Sequence, residues 1–379
     1  MRPSFDLPLL DLANQLHPTA DLTDVTVVAC QHLLVANYLM FEKLFEKGLR
    51  PERTFVIPKA YSHNPTVERL FVERGAFVWS YAYDSHDAFD ERMRRETEAF
   101  VAHVVAAGHD RGRVLILDDG GDLTVVANDV LVDAACCAVE QTSSGFNKLH
   151  GAALRFPVVN LARSDSKLHV ESLFIAESMC AKTLAFLREQ ELDVRSCLVV
   201  GNGPIGSQVH RNLAGYYPTD IFDVDAERSG LEGRLQDRIG DYDLVFACSG
   251  KLSIPYALQA HMRDGVVLVC ASLREFEPHL LRRQAPVYDD PHRHLHVDGK
   301  WLVNSGFPVN FDGGVTDVIP EKIQLTHALM LAGGYQALED AGAGLVELDP
   351  ANQDRIVTAF KEYLAELYFQ LYGSGAVAR

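Results

Sequence analysis

The first part of the chain alternates short apolar runs with amphipathic segments. Each apolar run has the length of a strand, and each amphipathic segment has helical periodicity and ends at or next to a glycine. Strands that alternate with helices predict a parallel α/β sheet. The predicted strands are 25–30, 54–58, 76–79 and 114–117, and the predicted helices are 31–48, 65–74 and 89–107.

A second alternation begins near residue 171, where helical periodicity extends over 171–189. Two such runs in succession predict an α/β fold with two doubly wound, Rossmann-like domains, one for substrate and one for a dinucleotide. The strands predicted for the second domain are 198–200, 221–222, 244–247, 266–270 and 302–304.

A glycine-rich turn, G-x-G-x-x-G, lies between the strand at 198–200 and a helix predicted at 207–213. Its first glycine permits a tight turn, its second lets a pyrophosphate approach the backbone, and its third packs helix against strand. An aspartate about 20 residues further on accepts the ribose 2′-hydroxyl of NAD and repels the 2′-phosphate of NADP. NAD binding is predicted, although a Rossmann-like domain can keep this turn without its ligand. The residues assigned to the cofactor are Gly201, Gly203, Pro204, Ile205, Gly206 and Asp223.

Composition narrows the classes of protein. The 379 residues, of which 47% are hydrophobic and 23% charged, suffice for two soluble domains with cores. A net charge of -17 argues against a nucleic-acid partner. The apolar runs are too short to span a membrane, and the N-terminus lacks the apolar core of a signal peptide. Seven cysteines without C-x-x-C spacing indicate buried free thiols in the cytoplasm and no metal site.

Two polar segments are candidates for a site. The loop 118–122, DDGGD, follows a predicted strand, and ligands gather at the carboxyl ends of parallel strands. The segment 292–296, HRHLH, has histidines at metal-like spacing. However, it alternates around an apolar centre before Asp298-Gly299, which is a hairpin turn signal, so a hairpin is favoured over a metal site.

The segment 116–124, ILDDGGDLT, resembles S-adenosylhomocysteine hydrolase (adenosylhomocysteinase). Further similarities follow in the same order at 30–32, 139–145, 177–178, 199–206 and 302–306. The resemblance implies a substrate domain of residues 1–176 with 310–379, an NAD domain of residues 177–309, and a homo-oligomer, dimer or tetramer. It also implies that bound NAD oxidises a substrate hydroxyl, a leaving group is eliminated, and the hydride returns.

Several residues of the family pattern are retained. Asp119, His32 and Glu140 stand where the resemblance places them in the substrate site. The resemblance also implies cofactor contacts from Thr142, Ser143, Ser144, Ser249 and Asn304.

The departures concern the nucleoside side. Leu34 and Ala36 replace the threonine and glutamate that hold the adenosyl group, and Phe311 replaces a histidine. In the segment 165–170, DSKLHV, the family's first lysine and its aspartate are replaced. A buried leucine offers adenine no hydrogen bond, so adenosylhomocysteine is disfavoured as the substrate.

Candidate catalytic residues each have a structural alternative. Asp119 suits a group that positions or deprotonates a hydroxyl, or it caps backbone amides. His32 is equally suited to a base or to a structural role. Lys167 and His169 are candidates for the lost acid–base pair, or they begin a surface helix. Arg274 would clamp a substrate carboxylate, or pair with a neighbouring glutamate. His327 is a further candidate for the cleft.

The sequence therefore favours a cytoplasmic NAD-dependent enzyme that acts on a small polar molecule in a specialised biosynthetic pathway, without nucleic-acid or membrane partners. It would oxidise an alcohol, either as a net dehydrogenase or as a transient step before elimination. Two alternatives remain: a non-catalytic NAD-binding relative that acts through a protein partner, and a true adenosylhomocysteine hydrolase.

Overall fold

The first of two sheets joins strands from both ends of the chain. The computed structural model describes residues 5–164, 170–273, 275–340 and 342–372. Within them the first sheet has the order β13-β6-β5-β4-β1-β2-β3, and all its strand pairs are parallel. Its strands are β1 (Val25–Leu33), β2 (Thr54–His63), β3 (Phe77–Val78), β4 (Gly112–Asp118), β5 (Ala134–Glu140), β6 (Pro157–Asn160) and β13 (Gly344–Glu347).

The second sheet has the order β11-β12-β10-β9-β7-β8 and is parallel except for its hairpin β11–β12. The hairpin turns at Asp298 and Gly299, both with positive φ, as expected for a tight two-residue turn. The histidine-rich segment is therefore a hairpin, as predicted. The strands are β7 (Cys197–Val200), β8 (Thr219–Phe222), β9 (Leu244–Ala247), β10 (Val267–Cys270), β11 (Leu295–Val297) and β12 (Lys300–Leu302).

Helices cover these sheets, and the α/β class with two wound, Rossmann-like sheets is confirmed. Most helices lie between successive parallel strands, as right-handed crossovers require. The domain boundaries at 176/177 and 309/310 stay a prediction. The helices are α1 (Pro8–Leu16), α2 (Val35–Glu46), α3 (Pro65–Arg74), α4 (Phe89–Ala106), α5 (Asp122–Val130), α6 (Ser143–Leu149), α7 (Ser172–Glu189), α8 (Pro204–Leu213), α9 (Leu235–Arg238), α10 (Pro278–Arg282), α11 (Pro320–Glu339) and α12 (Pro350–Tyr372).

Two predicted boundaries were wrong. Strand β1 runs on to Leu33, and α2 begins only at Val35, whereas a helix was predicted from residue 31. The reason is that residues 31–33 pair with the extended end of β2, so sheet hydrogen bonds replace the first helical turn. Strand β12 ends at Leu302, because Asn304 takes a left-handed conformation with φ 52°.

Helix α11 is buried on all sides because it packs on the first sheet and under α1 and α2. Gly333 and Gly334 allow this close approach: a Cβ on either would lie 3.3–3.4 Å from strand side chains, including Val159 and Leu115. The helix thus fixes the sheet whose carboxyl end carries the polar site.

A buried arginine joins the second sheet's helices to the loop after β3. Arg282 is 1% exposed, and its guanidinium donates to the carbonyl oxygens of Ser85 (2.8 Å), Ser305 (3.1 Å) and Asp87 (3.3 Å). It also lies over the ring of Phe307, 5.2 Å from the centroid. Because carbonyl oxygens buried without donors are costly, this guanidinium holds the loop 85–87 and the turn at Ser305 against α10.

Replacing Arg282 with methionine keeps the apolar volume but removes all three donors. We expect the free energy of unfolding in urea to fall by about 3 kcal/mol, since buried acceptors lose their partners. The neighbouring exposed Arg283, which donates to the His86 carbonyl, is the matched control. Arg283→Met should change the free energy of unfolding by less than about 1 kcal/mol. Equal effects of the two substitutions would contradict a special role for Arg282.

Candidate functional site

The loop 118–122 forms a tight turn between β4 and α5. Gly120 and Gly121 have φ of 114° and 81°, a region that favours glycine. A Cβ on Gly121 would lie 2.9 Å from the Cα of Gly145, so side chains at this point would separate the turn from α6. The Asp118 carboxylate accepts a hydrogen bond from the Thr124 amide (2.7 Å) and caps α5. This geometry leaves Asp119 pointing into the protein.

Asp119 is the centre of a buried polar cluster. Its carboxylate is 5% exposed and accepts from the Lys59 ammonium and the Gln141 side-chain amide. The Nε2 atom of His32 lies 3.1 Å from its Oδ2 atom. His32 and Gln141 lie at the ends of β1 and β5, and Lys59 lies within β2, next to the residue that pairs with Gln31 near the end of β1. The carboxyl ends of four strands therefore converge on one carboxylate.

The ion pair with Lys59 decides the charge of Asp119. Burial by itself would raise the pKa of Asp119, but the charge of Lys59, together with the neighbouring His32, outweighs it and holds the pKa well below its ordinary value. Burial would likewise lower the pKa of Lys59, but the Asp119 charge raises it well above the ordinary value. Both groups are charged at neutral pH, so Asp119 is an acceptor only.

His32 lies between this cluster and a cleft. Its Nδ1 atom is 2.5 Å from the Ser62 hydroxyl oxygen. The Phe311 ring stacks on it at 4.4 Å between centroids, and Tyr61 meets it edge-on at 6.0 Å. The residues that line the cleft beside it include Leu34, Tyr61, Ser62, Phe311 and Asp317.

Two further carboxyl groups lie beside Asp119 on neighbouring strands. Asp118 pairs in register with Glu140 across β4 and β5. Burial raises the pKa of Asp118 to about 6. Burial, and then the charges of Asp118 and Asp119, raise the pKa of Glu140 well above its ordinary value. Glu140 accepts from the Gly120 and Thr142 amides, at 3.2 and 2.6 Å, and so holds the loop against α6.

The glycine-rich turn has the geometry that its sequence predicted. A Cβ at Gly201 would lie 2.7 Å from the Ser249 nitrogen, and one at Gly206 would overlap the Gly201 carbonyl oxygen. At Gly203, by contrast, a Cβ would meet nothing within 4 Å. The first and third glycines therefore pack the turn, whereas the second faces open space. Pro204 and Ile205 open α8 behind it.

Asp223 lies directly after β8 and next to this turn. Its carboxylate accepts from the amides of Asn202 (2.7 Å) and Asp225 (3.0 Å). Arg228 lies 3.6 Å away and donates to the Asn202 carbonyl. Burial would raise the pKa of Asp223, but these amides and the Arg228 charge outweigh it and lower the pKa. Asp223 therefore presents an anion at the edge of the turn.

The other expected cofactor residues lie at the ends of strands or helices. Thr142 caps α6 by accepting from the Gly145 amide (2.9 Å), and Ser143 and Ser144 are exposed in its first turn. Ser249 follows β9 and donates to Glu275 at 2.7 Å. The Asn304 amide donates to the carbonyl oxygens of Pro308 (3.0 Å) and Phe311 (2.7 Å).

Three predicted catalytic residues, Lys167, His169 and Arg274, lie outside the described residues. His327 is 4% exposed within α11, and its Nδ1 atom lies 3.2 Å from the Ile323 carbonyl oxygen. The structure brings together Asp119 and His32, as well as the glycine turn and Asp223.

Sequence reasoning missed Lys59, Gln141 and Ser62. A usable signal was present for two of them, because Lys59 and Ser62 are polar residues within a run that otherwise reads as a buried strand end, IPKAYSH. Gln141 directly follows Glu140 in the segment 139–145, whose resemblance to the family points to other residues.

Among the described residues no cluster of three or more metal-ligating side chains occurs. The described helices include none that is long and apolar enough to cross a membrane. All seven cysteines are free, and each is buried except Cys248, which is partly exposed.

The chain matches no family model. It is 39% identical over 330 residues to uncharacterized proteins from two strains of Mycobacterium tuberculosis, an overlap of 83% of this chain but 64% of each relative. The chain thus spans less than two thirds of the length of these relatives. It is 20% identical over 212 residues to an adenosylhomocysteinase of Acinetobacter baylyi, covering 54% of this chain and 44% of that one.

Solved structures similar to this chain include an NAD-bound 3-phosphoglycerate dehydrogenase of Entamoeba histolytica. Its TM-score is 0.37 at 11% identity, with 83% of this chain and 93% of that chain covered. Another is the A chain of dipicolinate synthase from Bacillus subtilis, with a TM-score of 0.34 at 11% identity, covering 93% and 99%.

The raised pKa of Asp118 predicts a pH-dependent stability. Between about pH 4 and pH 6 the Asp118 carboxyl group loses its proton in the unfolded chain but keeps it in the folded protein, so rising pH favours unfolding. Above that range the loss of folding free energy is constant at about 3 kcal/mol. Asp118→Asn can still accept from the Thr124 amide but cannot ionise. We expect its free energy of unfolding, relative to the wild type, to rise by about 3 kcal/mol from pH 4 to pH 7.

Denaturant unfolding at several pH values measures this difference. Asp122→Asn is the matched control, since Asp122 lies in the same loop, is partly exposed and pairs with Lys148. That variant should keep the pH dependence of the wild type. If the difference in free energy of unfolding between Asp118→Asn and the wild type stays constant from pH 4 to pH 7, the pKa of Asp118 is not raised in the folded protein.

Proposed function

We propose that the protein is an NAD-dependent enzyme that oxidises an alcohol, as a dehydrogenase or as a transient step before elimination. The observation that carries the proposal is the presence of two matched features at strand carboxyl ends. One is a glycine turn with open space at Gly203 and an anion at Asp223. The other is the charged Asp119 beside His32, at a cleft. The first suits a dinucleotide and the second suits removal of a hydroxyl proton.

The residues of the turn fit NAD. Open space at Gly203 lets a pyrophosphate approach the start of α8, a helix of ten residues. Asp223 would accept hydroxyl groups of the adenosine ribose, and its negative charge disfavours a 2′-phosphate. Ser249 and Asn304, after β9 and β12, and Thr142 at the start of α6 would face the cofactor from other strand ends. Bound NAD supplies a hydride acceptor for the alcohol carbon.

On the substrate side, the ionised Asp119 orients His32 as the base that takes the hydroxyl proton. Lys59 is a cation supplied by β2, and its presence compensates for the lysine that the adenosylhomocysteinase pattern has in the segment 165–170. Polar groups that converge in this manner favour an enzyme over a non-catalytic NAD-binding relative, since a buried ion pair is costly unless it is selected for.

The cleft supports a substrate other than adenosylhomocysteine. Leu34 and Ala36 are 4% and 3% exposed, and they offer no hydrogen bond to an adenine. Phe311 occupies the position of the family's second histidine and stacks on His32. A small polar substrate is the occupant proposed for this cleft, whose wall includes the polar side chains of Ser62 and Asp317. Arg274 would bind its carboxylate if it has one.

The domain division into 1–176 with 310–379 and 177–309 belongs to the same proposal. The composition of the first sheet supports this division, because β13, from residues 344–347, pairs with β6 in the sheet of the N-terminal part. A homo-oligomer and a cytoplasmic location complete the proposal.

Calorimetry with NAD and NADP tests the cofactor assignment. Gly203→Ala should weaken NAD binding roughly tenfold or more, because the new methyl group enters the space for the pyrophosphate without meeting any protein atom. Gly215→Ala, just beyond α8, is the matched control and should bind as the wild type does. The wild type should prefer NAD, and Asp223→Ala should narrow that preference. Equal or tighter NADP binding by the wild type, or no loss in Gly203→Ala, would contradict the assignment.

A further inference from the structure

Three side chains form a continuous line of hydrogen-bonding groups from the buried cluster to the cleft. The Asp119 carboxylate lies 3.1 Å from Nε2 of His32, and Nδ1 of His32 lies 2.5 Å from the hydroxyl oxygen of Ser62. Ser62 lines the cleft, whereas Asp119 does not. A hydroxyl group therefore stands between the histidine and the space where a substrate would bind.

The charge of Asp119 determines which group donates and which accepts at each hydrogen bond along this line. Asp119 is ionised by its pair with Lys59 and can only accept, so a neutral His32 carries its proton on Nε2. Its Nδ1 atom is then an acceptor, and the Ser62 hydroxyl is the donor that faces it. The basic atom of the imidazole consequently points at Ser62.

Aromatic rings cover one face and one edge of the imidazole. Phe311 covers one face at 4.4 Å, and the Tyr61 ring meets its edge. The His32 side chain is only 13% exposed, and Ser62 is 3% exposed but lies at the cleft wall. The Ser62 hydroxyl is therefore a cleft-lining group within hydrogen-bond distance of Nδ1, placed to carry a proton from the cleft to the imidazole.

We propose that Ser62 is a catalytic residue that contacts the substrate hydroxyl and relays its proton to His32; this inference rests on the proposed alcohol oxidation. The substrate O–H proton moves to the Ser62 oxygen as the Ser62 proton moves to Nδ1. The substrate oxygen's electron pair forms the carbonyl bond, and the hydride leaves the same carbon for NAD. The products are a carbonyl compound, NADH and an imidazolium.

The surroundings of His32 accommodate that imidazolium. The Asp119 carboxylate lies 3.1 Å from Nε2 of His32, and the carboxyl group of Asp317, whose pKa burial raises and His32 lowers, also interacts with the imidazole. The proton taken from the substrate is thus stored beside opposite charge, and it returns by the same route when the reaction is reversed.

The test is nuclear magnetic resonance of ring-labelled histidine in the wild type and in Ser62→Ala, Ser62→Thr and Thr316→Val. The wild type should carry its neutral-state proton on Nε2. Near neutral pH, proton exchange at Nδ1 should slow roughly tenfold or more in Ser62→Ala, since the relay hydroxyl is gone. Ser62→Thr retains the hydroxyl and should restore the rate. Thr316→Val changes another residue of the cleft wall and should exchange as the wild type does.

Three results would overturn the relay: a neutral-state proton on Nδ1, unchanged exchange in Ser62→Ala, or covalent labelling of Ser62 by phenylmethylsulfonyl fluoride. The last would make Ser62 a nucleophile, which the same order of groups activates in other proteins. If Ser62→Ala does not fold, the position of the proton in the wild type decides. NAD calorimetry on the same samples separates a failure of the relay from a failure of the proposed function.

Discussion

The ion pair between Lys59 and Asp119 is the interaction on which the rest of the site depends. Removing two charges from water is costly, and the cost is repaid only where geometry and further hydrogen bonds are good. Here Gln141 and His32 supply those further partners. Because the pair keeps Asp119 ionised, it fixes which nitrogen of His32 bears the proton and hence leaves Nδ1, which faces Ser62, as the basic atom. Without Lys59 the carboxyl group would resemble its neighbours Asp118 and Glu140, whose pKa values burial raises.

The second sheet completes this site through one left-handed turn. Asn304 donates to the carbonyl oxygens of Pro308 and Phe311, and the backbone bridge between Cys270 and Pro308 ties the segment to the end of β10. The turn thereby places the Phe311 ring on His32. The segment that follows β12 therefore shapes one wall of the cleft beside His32.

Local patterns predicted the fold class, the glycine turn, Asp223, the hairpin and the position of Asp119, because each depends on a few consecutive residues. Lys59 could not be predicted as the partner of Asp119, since the contact depends on the order of β2, β1 and β4 in the sheet. The polar character of Ser62 is visible in the run IPKAYSH, but its contact with His32 could not be predicted, because that contact depends on the unpredicted extension of β1 that carries His32 against β2. The hydrophobic pattern placed some ends of strands and helices wrongly, because sheet pairing competes with helix formation there.

A double-mutant cycle on Lys59 and Asp119 tests the central claim most directly. The free energy of unfolding would be measured for Lys59→Met, Asp119→Asn and the double variant, at neutral pH. Lys59→Met should lower the free energy of unfolding by about 3 kcal/mol or more, because it leaves the Asp119 charge buried without its cation. Asp119→Asn should lower it by about 3 kcal/mol or more, because it leaves the Lys59 ammonium without its anion. The loss in the double variant should be about 3 kcal/mol smaller than the sum of the two single losses. Effects that add to within about 0.5 kcal/mol would show that the two groups do not depend on each other, and would contradict the account of how Asp119 and His32 are held.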